Sequence, residues 1–320
     1  MSDPRALDAK HPVALFRNGF GDHLLSLPAL RALAALFPGK LTLICQPHCA
    51  DIFFRELAVC RFIETDFKLG GGGRLFDADA VADAVGECDL LLSLNPWHSV
   101  SVDRLLRRLS PAASVGFSPA FKKALSLNNR KHSADLAFDV VRSLGGSARI
   151  EDFAAPPALT PEGVEMARKL RALFPGPLRV LAVHADTKPD KMWDPGRLIR
   201  VLDEFLERHE DFVVFIVGAR EHGLNTGRHK EYVISCCGLP LAISLALVGQ
   251  ADLFLGVDSC LLHAADLFRV PGVGLFGQAG KAAEFGFRFG PHRHVCGSGS
   301  MASIEVGEVL GALEQARTGS

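Results

Sequence analysis

Three short stretches of this 320-residue chain bring acids, cations and hydroxyls to places where a turn could present them. The first is Arg17-x4-Asp22, which passes through Asn18, Gly19 and Gly21. A carboxylate at Asp22 can take a proton from a substrate, and it can equally cap a helix. The second is His184-Ala-Asp-Thr187-x3-Lys191-x-Trp193. Its hydroxyl and ammonium suit phosphate oxygens, although Lys191 read alone is an ordinary surface lysine. The third is Val257-Asp258-Ser259-x3-His263. Backbone amides of Ser259, Cys260 and Leu261 at a helix start would offer donors and partial positive charge to a pyrophosphate. Asp258 reads as a brace or a cap, and His263 as a phosphate neighbour or a core histidine.

Each stretch leaves an apolar run of strand length. The runs 13–16, 41–45, 88–93, 180–183, 212–217, 253–257 and 273–276 have the size of buried parallel strands, with 62–63 a shorter one and 273–276 the last. Helical spacing predicts helices over 22–37, 50–57, 77–85, 132–144, 195–207, 241–248 and 304–316. Asp22 is the expected N-cap of the first, the glycines before it are expected to supply unusual backbone angles, and Pro28 is expected to kink or restart it. Gly70 to Gly73 reads as a flexible loop. Strand–helix alternation predicts an α/β fold with doubly wound parallel sheets. The Pro-rich segment 151–161 divides it into domains 1–155 and 156–320, with a cleft between them and the terminal helix 304–316 open to packing back on the first domain. Ligands of such sheets bind at the carboxyl ends of the strands, where all three stretches fall.

Composition narrows the function further. The chain is 48% hydrophobic and 22% charged with net charge −1, so a general nucleic-acid binder is not expected. No apolar stretch follows Met1-Ser-Asp-Pro-Arg, and no run reaches membrane-spanning length, so a cytoplasmic location is expected. Eight scattered cysteines without a CxxC pair read as reduced thiols and not as a zinc site. Gly19-x-Gly21 lacks the third glycine of a dinucleotide site, and the strand 41–45 ends in Cys45-Gln46 without a ribose-binding acid. Asp77-Ala-Asp79 follows no strand long enough to make it a metal-holding DxD, so it reads as a capped helix start. From Arg104 to Lys131 there are seven basic residues and no acidic one. That run is either a solvated face or a patch for an anionic acceptor.

Taken together, Arg17-x4-Asp22 with Leu27-Pro28-Ala29-Leu30, Thr187-x3-Lys191-x-Trp193 and Val257-Asp258-Ser259-x3-His263 resemble the bacterial lipopolysaccharide heptosyltransferases, glycosyltransferase family nine. The resemblance implies the GT-B fold, with an acceptor-binding N-terminal domain and a nucleotide-sugar-binding C-terminal domain. It implies inverting transfer of a sugar, typically heptose, from an ADP-sugar to an acceptor hydroxyl, with no metal or other cofactor. Asp22 then corresponds to the general base, and Lys191 to a stabiliser of the leaving diphosphate. Thr187, Asp258 and the loop Ser259, Cys260, Leu261 fall at the phosphates with His184 and His263 beside them, and Glu221 near the ribose. Arg17, Gly19, Gly21 and His23 around the base, with Lys122 and Lys123 from the basic run, are assigned to the acceptor side. The acceptor is a small molecule, a lipid-linked glycan or a protein, and the enzyme is expected to act as a monomer. Departures from the family pattern are Cys260 in place of glycine, Gln278-Ala-Gly-Lys281 in place of a threonine-bearing loop, and His23 in place of an aliphatic residue. The alternatives are an epimerase or hydrolase of the same fold and an inactive sugar-nucleotide-binding module.

Overall fold

A computed structural model of the chain describes residues 7–66, 68–70, 73–97, 99–174 and 178–319. The chain divides into two compact units, Met1–Ala158 and Leu159–Ser320. Most of the Pro-rich segment, through Ala158, belongs to the first. Arg31 donates to the carbonyls of Phe153, Ala155 and Pro156 and pairs with Glu56, which fastens the segment to its own unit.

The first unit runs β1 (Pro12–Leu15), α1 (Phe20–Leu36), β2 (Thr42–Cys45), α2 (Cys49–Phe53), β3 (Arg61–Glu64), β4 (Lys68–Gly70), β5 (Gly73–Leu75), α3 (Ala78–Val85), β6 (Leu90–Ser93), α4 (Val100–Leu109), β7 (Ala113–Gly116), β8 (Lys123–Ala124) and α5 (Ser133–Ser143). Among the described residues its main sheet has the order β3-β2-β1-β6-β7-β8, all parallel. The central strands β1, β2 and β6 are buried at every position, which is why their sequences are apolar apart from Thr42 and Ser93 at strand ends. Gly70 and Gly73 are not loop residues: they pair across the antiparallel hairpin β4–β5, whose Gly71 and Gly72 lie outside the described residues.

The second unit runs α6 (Pro161–Arg171), β9 (Arg179–His184), α7 (Pro195–Arg208), β10 (Phe212–Gly218), β11 (Val233–Cys237), α8 (Leu241–Gly249), β12 (Leu253–Val257), α9 (Cys260–Leu267), β13 (Gly272–Phe276), α10 (Ala279–Phe285), β14 (His292–Cys296) and α11 (Val306–Thr318). Its parallel sheet has the order β11-β10-β9-β12-β13-β14. β13 is therefore not the last strand, because β14 pairs along its outer side. Phe205 and Phe212 meet edge to face at 5.1 Å in the core of this unit. The terminal helix belongs here too: Val309, Leu310 and Leu313 of α11 are buried in the cluster built on β9, β12 and β13.

Several local expectations change. The helix 50–57 is shorter, closing at Phe53. α1 begins at Phe20, two residues before Asp22, and runs through Pro28 as one helix. Leu24, Leu27, Leu30 and Leu33 are completely buried on both sides of the proline, so packing holds the helix where a carbonyl partner is lost. Among the described residues, no helix is long and apolar enough to cross a membrane.

Candidate active site

In the first unit the site is built on the turn between β1 and α1. Arg17 follows the strand and is completely buried. Its amide donates to Asn95 Oδ1 at 3.1 Å, and Asn95 Nδ2 donates back to its carbonyl at 2.9 Å. Arg17 Nε donates to the Thr65 carbonyl at 3.1 Å, and the guanidinium lies 4.4 Å from the centre of the Phe76 ring. Arg17 is thus a clasp behind the turn; enclosed in this way, its side chain does not line an acceptor site.

Gly19 is the N-cap of α1, with φ −63° and ψ 161° and no side-chain cap. Gly21 lies inside the helix. Neither glycine takes a left-handed conformation, so the turn does not depend on their special backbone freedom. Asp22 is the third helical residue and not the cap; its amide donates to the Gly19 carbonyl at 3.1 Å. The helix-start amides and dipole favour a carboxylate at this position, and Asp22 is half-buried.

His23 differs from the expectation as Arg17 does. It is completely buried and does not face an acceptor. Its ring lies 5.0 Å from Phe16, 6.4 Å from Phe53 and 5.7 Å from Phe54, centre to centre. Nδ1 bonds the Gly19 carbonyl at 2.9 Å. Burial, helped by the Arg17 charge, lowers its pKa to about 4, against the hydrogen bond that favours the cation.

The basic run is largely committed to local structure. Arg104 pairs with Asp79, and Arg108 pairs with Asp83 at 2.7 Å. Arginines four apart on α4 therefore meet aspartates four apart on α3. Asp77 caps α3 by accepting from the Ala80 amide at 3.0 Å. The three-residue β5 does precede this DxD, yet one carboxylate caps and the other pairs. Lys122 Nζ donates to the carbonyls of Pro111 and Ala112, Lys123 Nζ to that of Ser143, and Lys131 pairs with Asp139 at 2.5 Å. A groove of about 460 Å³ remains near the α4 start, lined by Phe76, Asp77, Val100, Arg104 and Arg107 among others. Its Phe76 is the ring beneath the Arg17 guanidinium.

In the second unit the site residues range along the carboxyl ends of β10, β9, β12 and β13. Lys191 Nζ lies 2.5 Å from Asp258 Oδ2, and Thr187 Oγ1 donates to the Asp258 carbonyl at 3.2 Å. His263 Nε2 stands 3.8 Å from the other carboxylate oxygen. Asp258 thus ties the loop after β9 to the start of α9, as a brace would. Ser259 is the N-cap, and its Oγ accepts from the Leu262 amide at 3.5 Å. The amides of Cys260 and Leu261 have no intrahelical acceptor and open the helix. Leu261 presents only backbone, since its side chain is buried. Burial pushes the Cys260 thiol up to about 11, so it is a neutral thiol near neutral pH. A cavity of about 190 Å³ adjoins this group, lined by Lys191, Asp258, Phe276, Gln278, Lys281 and Ser300 among others.

His184 and Glu221 lie by β10, and His184 is more enclosed than expected. Its Nδ1 bonds the Val217 carbonyl at 2.7 Å, and burial lowers its pKa. A Cβ on Gly218 would come 2.7 Å from the His184 ring, and Gly218 has φ +132°, so only glycine fits there. Sequence reasoning missed the partner that fixes the Glu221 loop. Asp186 accepts from the Arg220 amide at 3.1 Å and bonds His222 Nε2 at 3.0 Å, while His222 takes φ 54°. An acid two residues after the strand-end histidine was the available signal. Phe285 was also missed: its ring lies under both Lys191 and Lys281, at 5.9 and 5.2 Å. Among the described residues, no three His, Cys, Asp or Glu side chains group so as to hold a metal ion.

Residues 85–285 match the model of glycosyltransferase family 9 (heptosyltransferase). The chain belongs to glycosyltransferase family 9. It is therefore a glycosyltransferase, as the three motifs implied. No curated protein matches the chain in sequence. Among solved structures it is similar to a glycosyl transferase family 9 protein from Veillonella parvula, at 18% identity and TM-score 0.79, covering 98% of this chain and 99% of that one. It is also similar to E. coli ADP-heptose lps heptosyltransferase II, at 13% identity and TM-score 0.72, covering 97% and 99%. E. coli heptosyltransferase WaaC with ADP gives 16% identity and TM-score 0.67, covering 96% and 99%. These likenesses carry the fold, which is GT-B with two α/β units built on parallel sheets.

Proposed function

We propose that this family 9 glycosyltransferase moves a heptose from an ADP-sugar to an acceptor hydroxyl with inversion. Asp22 takes the hydroxyl proton as the acceptor oxygen attacks the anomeric carbon. The bond from that carbon to the β-phosphate oxygen breaks on the opposite face. A carboxylate is a weak base toward a resting hydroxyl, but the hydroxyl becomes acidic as the new bond forms. Charge that builds on the departing diphosphate meets Lys191 and the amides of Cys260 and Leu261, which replace a metal in this reading. Glu221, on the loop held by Asp186 and His222, receives the nucleoside end, and the groove beside Phe76 and Arg107 receives the acceptor.

The observation that supports the donor side best is the ammonium of Lys191. Asp258 and Thr187 hold its loop at the rim of a cavity beside an open helix start. A thermal-shift panel with ADP, UDP, GDP and NAD tests the donor. ADP should stabilise most, by roughly 2.7 kcal/mol at 100 times its dissociation constant. A larger shift with UDP or NAD would reject the assignment. Incubation with ADP-heptose then distinguishes transfer from acceptor-free turnover and from binding alone, and transfer should persist in EDTA.

A further inference from the structure

We infer that His23 is a positioning residue for Asp22, holding the Gly19 carbonyl so that the first turn of α1 presents the carboxylate in one place. The inference rests on the reading of Asp22 as the base. Two donors converge on the Gly19 carbonyl: the Asp22 amide at 3.1 Å and His23 Nδ1 at 2.9 Å. Gly19 is an N-cap without a side chain, so the residue that begins this helix contributes no cap of its own. A Ser or Asp cap would accept from a free amide of the first turn; the imidazole instead donates to the Gly19 carbonyl and ties the same turn through its acceptor.

The surroundings of His23 select the form of the ring that can do this. Phe16, Phe53 and Phe54 enclose it, and Nε2 is buried with no hydrogen-bond partner among the described residues. The charged group acting on it is Arg17, a cation that disfavours a second one. A neutral ring bonded to a carbonyl must carry its proton on Nδ1, and Nε2 is then the bare acceptor. An aliphatic residue would suit this aromatic box better than an imidazole with a stranded nitrogen. The geometry therefore gives the histidine a purpose other than packing.

Packing and positioning predict opposite orders for two variants. Leu in His23→Leu fills the box and cannot donate. Asn in His23→Asn places an amide nitrogen where Nδ1 stood and leaves a void where the ring was. If His23 positions Asp22, His23→Leu melts at or above the wild-type temperature yet turns over about tenfold more slowly, with donor KM unchanged. His23→Asn melts lower and recovers most of kcat. Wild-type turnover in His23→Leu, or equally slow turnover in both, would overturn the inference. Should His23→Asn not fold, His23→Leu against wild type carries the comparison alone, and wild-type turnover overturns the inference. Asp22→Asn is measured alongside. If it turns over normally, the base reading fails and takes this inference with it. If it is slow while His23→Leu is normal, only the inference fails.

Discussion

At the end of β1 the chain enters α1 through Gly19, which has no side chain to cap the helix, and the acid sits inside the first turn. At the end of β12 it enters α9 through Ser259, whose hydroxyl caps the helix, and the acid sits before it. Both turns lead from a strand into a helix and bear an aspartate with a buried histidine, one residue on in the first and five in the second. The difference lies in what surrounds the acid. Asp258 is 9% exposed at its side chain and faces the Lys191 ammonium. Asp22 is half-buried, and its neighbours Arg17 and His23 fasten the backbone behind it. One carboxylate is used as a fastening, and the other is itself fastened.

The largest effect that would break this contrast is at Lys191. Lys191→Ala should lower kcat by about 10²–10³-fold, the scale for losing one preorganised donor, while ADP affinity falls less. Lys188→Ala, in the same loop, is the control; equal and mild effects would make Lys191 a surface lysine. Asp22→Asn should lower kcat by at least ~10²-fold with ADP binding intact. Asn caps helices as well as Asp does, so a purely structural Asp22 would make the change nearly neutral.

Asp258→Asn sharpens the contrast more gently. A buried negative charge beside the cavity disappears, so ADP should bind at least as tightly, while Lys191 loses its anchor and kcat falls about tenfold. Titration calorimetry with ADP beside steady-state rates separates the two effects, and an unchanged kcat would contradict the brace. The smallest effect concerns acid stability. The folded-state pKa of His23 is about 4 against 6.5 for the free side chain. The unfolded chain therefore binds the extra proton first, and stability falls as pH drops from 6.5 toward 4. The loss is on the order of 3 kcal/mol at the acid end. Buried His184 acts in the same direction. His23→Leu should lose less stability than wild type between pH 7 and 4.5, read by denaturant melts; equal losses would remove His23 as the cause.

Much of the fold was legible because the central strands are buried on both faces. Val13 to Leu15, Leu253 to Val257 and Phe212 to Val217 have no polar interruption, and each is a strand. The flanking strands were illegible for the same physical reason in reverse. β14 reads His-Arg-His-Val-Cys, β8 is Lys-Ala alone, and β11 is broken by the exposed Ser235, so polar and solvent-facing positions dilute the pattern. The residues at the site were legible by type and spacing, but their direction was not. Nothing in Arg17-x4-Asp22-His23 says that the arginine and histidine point inward; that depends on Asn95, Thr65 and three phenylalanines from elsewhere in the chain.

The Asn95 clasp also sets an order of events. Every strand pair in both six-stranded sheets is parallel, so no pair can be closed by a tight turn. β1 gains its inner neighbour only when β6 arrives, and Arg17 and Asn95 are 78 residues apart. During synthesis, the glycine turn and its aspartate leave the ribosome well before Asn95. They remain unset until the strand before Asn95 has emerged and docked. The turn is therefore made well before it can be set, and a nascent chain stopped short of Asn95 would carry Asp22 without the contacts that hold its turn.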